Sequence, residues 1–336
     1  MPRTILDTLQ PGLQLSAPLL LAAVGGLFSY RAGVFNIALE GFMLIAAFFS
    51  VALASYADSI WVGVAAGIVS AMLLAAAMGV VVLLFKADEV IVGIALNIFA
   101  LGLTSYLLNS GGNGGFLRLS SGLPTVSIGL LRGIPVVGDI INGQDPLVYV
   151  SWLAIPAAAW TLKGSLFGLR LRAVGESPLA AQAAGISVVR IRFASFLLSG
   201  FFCGLAGAEL ALGSVYLFSE NMTSGRGIIA FAAVIFGGGI PLYVGIAALL
   251  FGFSEAIAGL VQIGSTFPPQ FVLMAPYILV ILALVLTGRR QALRSYLHGK
   301  RRAAAASASG EAPAPPDRLA SPTLGAVDSV DSGKEA

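Results

Sequence analysis

The chain has 336 residues, of which 57% are hydrophobic and only 10% charged, and its formal net charge is +3. A soluble domain carries about 25% charged residues, so a water-exposed globular fold is excluded and lipid must cover the apolar surplus. The 41 glycines and the long apolar runs fit membrane helices rather than the short alternating segments of a barrel.

The opening, "MPRTILDTLQPG", is no signal peptide, because Asp7, Gln10 and Pro11 interrupt any early apolar core. A crossing helix needs about 20 apolar residues. Candidate spans lie at roughly 13–29, 35–56, 60–85, 90–109, 147–162, 193–214, 226–242, 243–263 and 270–287. The stretch 226–263 is too long for one crossing, and "GGGIP" at 237–241 is its natural break. The expectation is an all-α polytopic membrane protein with about nine transmembrane helices (eight and ten being the neighbouring counts) over residues 1–288. Segment 110–146 is rich in Gly, Ser and Pro and reads as an external loop with room for a short surface helix. Residues 289–336 read as a basic and then disordered tail. Its basic start suits contact with anionic membrane lipid or a plain stop-transfer role.

Orientation follows the positive-inside rule. Segment 163–192 holds Lys163, Arg170, Arg172, Arg190 and Arg192 against one acid, Glu176, and the tail from Arg289 to Arg302 holds six Lys or Arg. Both are placed in the cytoplasm, four crossings apart, which agrees with an even number. Counting back puts 110–146 outside, 86–90 and 30–34 inside, and the N-terminus outside. The location is a multi-pass inner or plasma membrane protein with a cytoplasmic C-terminus.

Several chemistries are missing. No GxxxxGK[ST] occurs, so the chain has no P-loop for ATP. The one histidine is His298, in the tail, and the one cysteine, Cys203, lies in an apolar run where a small buried side chain suffices. No His or Asp falls in an expected span, which excludes His/Cys metal sites and intramembrane proteases. Passage remains: a channel, a secondary carrier, or the membrane half of a machine whose engine is another chain. Nothing points to a nucleic acid polymer as partner.

Polar residues inside apolar spans are the candidate path. Asn36 and Glu40, in "RAGVFNIALEGF", are four apart and share a helix face. An ionised Glu in lipid costs about 2.5 kcal/mol or more, so Glu40 must face protein or water. It either satisfies broken backbone near Gly33 or lines the path. Asn97 either meets a cargo or bonds between helices. Glu209 and Glu255 also sit in or near spans, Glu255 being the deeper of the two, and Glu220, Asn221 and Arg226 sit near external ends. Phe35, Phe42, Phe99 and Phe231 offer apolar faces beside these groups. Gly63-x-x-x-Gly67 and Gly200-x-x-x-Gly204 suit close helix packing.

The basic loop contains a compact helix signal. Ser177 suits an N-cap, Pro178 the first helical position and Gly185 the C-terminal stop, with "LAAQAA" between. Two turns are not stable alone in water; a partner surface or an ordinary connecting loop both accommodate them. "LRAVGESPLAAQAAGI" followed by "ASFLLSGFFCGLAGAEL" resembles the coupling region of ABC importer permeases, in the branch serving branched-chain amino acids, simple sugars and nucleosides. "GLFSYRAGVFNIALEGFMLI", "KADEVIVGIALNIFALGLTSYL" and "AAVIFGGGIPLYVGIAALLFGFSEA" extend the likeness over most of residues 13–288 and are most similar to the nucleoside and simple-sugar permeases. The resemblance implies partners: a cytoplasmic ABC ATPase that binds the ATP and Mg, a second permease chain, and a periplasmic or lipid-anchored solute-binding protein. It implies no cofactor on this chain and no enzyme activity of its own. Glu176, Ser177, Pro178, Ala181, Ala184 and Gly185 match the coupling motif. Asn36, Glu40, Asn97, Phe99 and Glu255 are the substrate-path candidates. The expected function is ATP-driven import of nucleosides or a related simple sugar by alternating access. The alternatives are branched-chain amino acids as cargo, or a self-sufficient channel or carrier.

Overall fold

The computed structural model describes residues 2–110, 116–127, 142–264 and Ile278. The expected span 270–287, apart from Ile278, the tail 289–336 and most of the 110–146 loop lie outside the described residues. Among the described residues ten helices follow in order: α1 Pro2–Arg31, α2 Leu39–Ala57, α3 Ile60–Leu84, α4 Glu89–Ser110, α5 Pro146–Gly164, α6 Leu166–Glu176, α7 Pro178–Ala183, α8 Val188–Ala208, α9 Arg226–Phe236 and α10 Pro241–Gly264. A π-helical segment, Glu209–Val215, continues α8 without a break.

Among the described residues, six helical stretches are long and apolar enough to cross a membrane: Gln10–Arg31, Leu39–Ala57, Ile60–Leu84, Glu89–Ser110, Val188–Val215 and Pro241–Gly259. The fold is therefore mostly helical, as expected, with one addition. Phe116–Arg118 (β1) and Leu217–Ser219 (β2) form a small antiparallel ribbon, with Phe116 opposite Ser219. α5 occupies the expected 147–162 position but falls outside the six.

Two expected boundaries need correction. α1 begins at Pro2 and runs through Pro11 and Pro18, because prolines are tolerated where neighbouring groups satisfy the freed backbone. The full span expected at 226–242 is instead α9, an 11-residue helix of about 16 Å, roughly half a bilayer. Glycine and turn geometry set both its ends. Gly225 has a left-handed φ of 87°, and Gly238 and Gly239 are left-handed after it. The break read in "GGGIP" is where α9 ends and α10 starts at Pro241.

α1 and α8 are central. Buried residues make up 83% of the apolar window of α1 and 78% of that of α8 with its π extension, against 17% for the peripheral α4. The glycine pairs act as the packing devices expected. A Cβ at Gly63 would lie 2.5 Å from the Ser50 carbonyl of α2. One at Gly200 or Gly204 would lie 2.6 Å from Ala75 or Ile68 of α3. Backbones thus approach closely where dispersion, rather than water exclusion, must hold helices together. The bundle has two ends. One carries the β-ribbon, Asp145 and Gly213; the other carries Arg31, Gly33, Gly175, Arg192 and Gly239.

Candidate functional site

Helix ends inside a bundle leave N–H groups that water cannot reach. At the start of α2, the expected path residues answer that need. Asn36, 1% exposed, accepts from Ala38 N at 3.1 Å and donates to the Ser199 hydroxyl of α8 at 2.8 Å. Asn97 of α4 accepts from Gly41 N at 2.8 Å and donates to the Ile37 carbonyl at 3.0 Å. Both ends of each amide are therefore engaged by protein.

Glu40 serves the other broken helix. Its Oε1 accepts from the Thr223 hydroxyl at 2.5 Å and from Gly225 N at 2.8 Å, and its Oε2 accepts from Gly227 N at 2.6 Å. Gly225 is the N-cap of α9, so a carboxylate sits on the positive end of that half-helix. Arg226, the first residue of α9, pairs with Glu255 of α10 and donates to the Met222 carbonyl at 3.0 Å. The side chains of this pair are 18% and 21% exposed. Asn36, Glu40 and Asn97 thus converge on one junction, and Glu255 joins it through α9.

Phe35 and Phe99 are half-exposed, and Phe231 meets Phe35 edge-on at 6.4 Å. Phe42 is fully buried, so it packs in the core rather than presenting a face. Glu209 is also fully buried, in the π segment, and accepts from the Ser214 hydroxyl at 3.2 Å. Asp145 lies beside it. A Cβ at Gly213 would be 2.9 Å from Asp145 Oδ2 and 3.3 Å from Glu209 Oε1. Asp145 caps α5 through Leu147 N and Val148 N, and burial pushes its carboxyl above the usual carboxylate range. Glu220 accepts from the Ser105 hydroxyl at the exposed ribbon end. Among the described residues no group of three His, Cys, Asp or Glu side chains is arranged to hold a metal ion.

The basic loop folds as its cap signals indicate. Ser177 Oγ accepts from Ala180 N, Pro178 opens α7, and Gly185 follows with φ 79°. The flanks are helical as well: α6 precedes α7, and Arg190 and Arg192 already lie in α8. Ala181 is 4% exposed and packs inward. Glu176, Ser177, Ala184 and Gly185 are exposed and Pro178 is half-buried. Leu179, 81% exposed, crowns the helix. Sequence reading did not single out Leu179, although an unpartnered Leu in a six-residue helix was a signal.

Gly175, just before this helix, was also missed. A Cβ there would run into the Arg31 carbonyl and lie 3.2 Å from Gly33 N, so α6 rests directly on the end of α1. Arg192 Nε donates to the Ala32 carbonyl at 3.3 Å, and Arg31 Nε donates to the Gly239 carbonyl at 2.6 Å. One short path of backbone and arginine side-chain contacts therefore links α7, α6, the end of α1 and the α9–α10 turn.

A family model described as "Branched-chain amino acid transport system / permease component" matches residues 9–284. The chain is 37% identical over 316 residues to the guanosine ABC transporter permease protein NupQ of Bacillus subtilis, covering 88% of this chain and 98% of that protein. It is 34% identical to the nucleoside ABC transporter permease protein NupC of Lactococcus lactis, over 81% and 89% of the two chains. It is 31% identical to the putative glucose ABC transporter permease protein TsgC13 of Haloferax volcanii, over 73% and 74%. No solved structure gives a significant match.

Proposed function

This chain belongs to the branched-chain amino acid transport system permease family, and on that premise we propose that it is the membrane subunit of an ATP-driven importer of nucleosides. A related simple sugar is the second cargo class, since one relative carries a glucose name. The observation that carries the reading is the exposed helix Pro178–Ala183, capped at both ends and unpartnered on its outer face. It is the feature a cytoplasmic ATPase needs to grip, and it supports assignment of Ser177, Pro178, Ala184 and Gly185 to that contact, with Glu176 at its edge, where it turns toward the end of α1. Ala181 supports the contact from beneath.

The mechanism follows from the contact path. Closure of the ATPases displaces α7. α6 passes the displacement to the end of α1 through Gly175, and Arg31 passes it to the α9–α10 turn. α9 is the half-helix held at its other end by Glu40, so a tilt of α9 opens and closes the junction where Phe35 and Phe231 meet. Rigid-body rocking of this kind is a recognised mode of switching. In this reading Glu40, Asn36 and Asn97 fix the hinge, while Phe35 and Phe99 face the path. A second permease chain completes the path and a solute-binding protein feeds its ribbon end, outside the cell. The C-terminus is cytoplasmic.

The test is reconstitution with the ATPase and binding protein. Uptake of labelled guanosine that needs ATP and stops when the ATPase is omitted is the expected result. Uptake without the ATPase would point to a self-sufficient carrier. A binding protein that retains leucine instead of nucleosides would move the cargo to amino acids. A Gln182→Cys chain should be labelled only from the cytoplasmic side; labelling from outside intact cells would overturn the assignment of the loop.

A further inference from the structure

At the coupling-loop end a cavity of about 420 Å³ opens between the end of α1, the end of α6 and the α9–α10 turn. Its walls include Tyr30, Arg31, Phe35, Arg172, Glu176 and Gly238. The volume falls within the range of small-molecule sites, about 300–1,000 Å³. Arg31 and Arg172 each anchor only Nε on a backbone carbonyl, Gly239 at 2.6 Å and Gly168 at 3.4 Å. Those bonds tie both guanidinium groups to the backbone beside the cavity and leave their terminal N–H groups without a partner among the described residues. Among the described residues neither head enters an ion pair. Two guanidinium groups at one cavity are the chemistry that binds a phosphate through paired N–H donors.

The rest of the cavity narrows the ligand. Glu176 is an exposed carboxylate, which only accepts hydrogen bonds and so matches vicinal sugar hydroxyls rather than a second phosphate. Tyr30, which meets Phe35 edge-to-face at 6.1 Å, supplies the aromatic wall a base stacks against. We propose that this cavity is a regulatory site for a nucleoside monophosphate. Phosphate sits on Arg31 and Arg172, ribose hydroxyls on Glu176, and the base against Tyr30. The ligand bridges α1 and α6 next to the Gly175–Arg31 contact, two residues before the cap of α7. Bound there, it pins the coupling helix to α1 and slows transport. The phosphorylated form of an imported nucleoside would thereby report a filled cytosol. The base class and the side of the membrane rest on the function proposed above; the phosphate chemistry does not.

The experiment uses the assembled permease–ATPase complex in neutral-lipid nanodiscs, titrated calorimetrically with guanosine monophosphate, guanosine and inorganic phosphate. Guanosine monophosphate should bind more tightly than either of the others, and Arg172→Gln should weaken it about tenfold or more. Arg172→Lys, which keeps the charge, should weaken it less, and it covers the case in which the Gln variant fails to assemble. No binding by the wild type, or equal binding by Arg172→Gln and Arg31→Gln, would overturn the site. Binding abolished by phosphatidylglycerol in the discs would assign the cavity to a lipid headgroup and overturn the nucleotide. Guanosine uptake is read in parallel. Arg172-dependent phosphate binding without nucleoside uptake would sink the cargo reading and leave the anion site; uptake without such binding would do the reverse.

Discussion

Glu40 holds the first turn of α9 through Gly227, whose N–H it accepts at 2.6 Å across 187 residues of sequence. Its other oxygen takes Gly225 N and the Thr223 hydroxyl. Both oxygens are acceptors, so Glu40→Gln turns an NH₂ donor toward a backbone N–H on one side. The expected cost is about 1–3 kcal/mol, the penalty of an unsatisfied buried group. Thermal unfolding in detergent measures it, with uptake read beside it. Uptake lost at full stability would instead place Glu40 in contact with cargo.

Gly175→Ala should separate assembly from coupling. The added Cβ meets the Arg31 carbonyl, which is backbone and cannot rotate away. α6 must therefore lift off the end of α1. The complex should still co-purify, but loaded binding protein should no longer stimulate ATP hydrolysis. Wild-type stimulation in this variant would show that force does not pass through that contact.

Leu179→Asp probes the outer face of α7. The side chain is 81% exposed and touches little of its own chain, so the permease itself should keep its unfolding temperature; exposed changes of this kind usually stay within about 0.5 kcal/mol. What should fall is ATPase retention on affinity-purified permease. Undiminished retention would move the docking surface elsewhere.

The caps of α7 were legible because they are local. Ser177, Pro178 and Gly185 act within one turn of the residues they terminate, and "GGGIP" breaks the chain where it stands. The half-length of α9 was not legible. Residues 226–242 are equally apolar whether helix or turn fills them, and α9 is fixed by Glu40, more than 180 positions away in sequence. Shorter but still non-local separations, 163 residues for Asn36 and 60 and 56 for Asn97, hid the roles of those two. Both were visible as polar residues in apolar spans, yet their partners Ser199, Ile37 and Gly41 appear only when the helices pack. Gly175 had no signal at all, because a close approach to the Arg31 carbonyl leaves no trace in composition.

The Arg226–Glu255 pair should show strong non-additivity. Each side chain is about one-fifth exposed, so removing one partner strands a poorly hydrated charge. Arg226→Met or Glu255→Leu alone should destabilise by about 3 kcal/mol, the lower end expected for a buried pair, and the double variant by less than either. A double-mutant cycle by thermal unfolding reads the coupling. Additive losses would mean the two groups do not depend on each other.

Asp145 gives a pH dependence whose sign is fixed by burial. Its carboxyl is raised above the ordinary 3.8, desolvation being the largest cause, although Leu147 N and Val148 N pull the other way. The folded chain therefore holds this proton at a pH where the unfolded chain has released it. Stability from this group is present in acid and is lost as pH rises from about 4 through the folded value. Glu209 faces the same glycine, so ionising Asp145 also sets a charge beside a second buried carboxyl. Asp145→Asn keeps an acceptor for both α5 N–H groups and cannot ionise. Its unfolding temperature should decline less steeply than wild type as pH rises toward neutrality, and near neutral pH it should be the more stable of the two. Parallel curves for the two chains would show that Asp145 is ionised in the fold, with Oδ2 reached by water or by a cation.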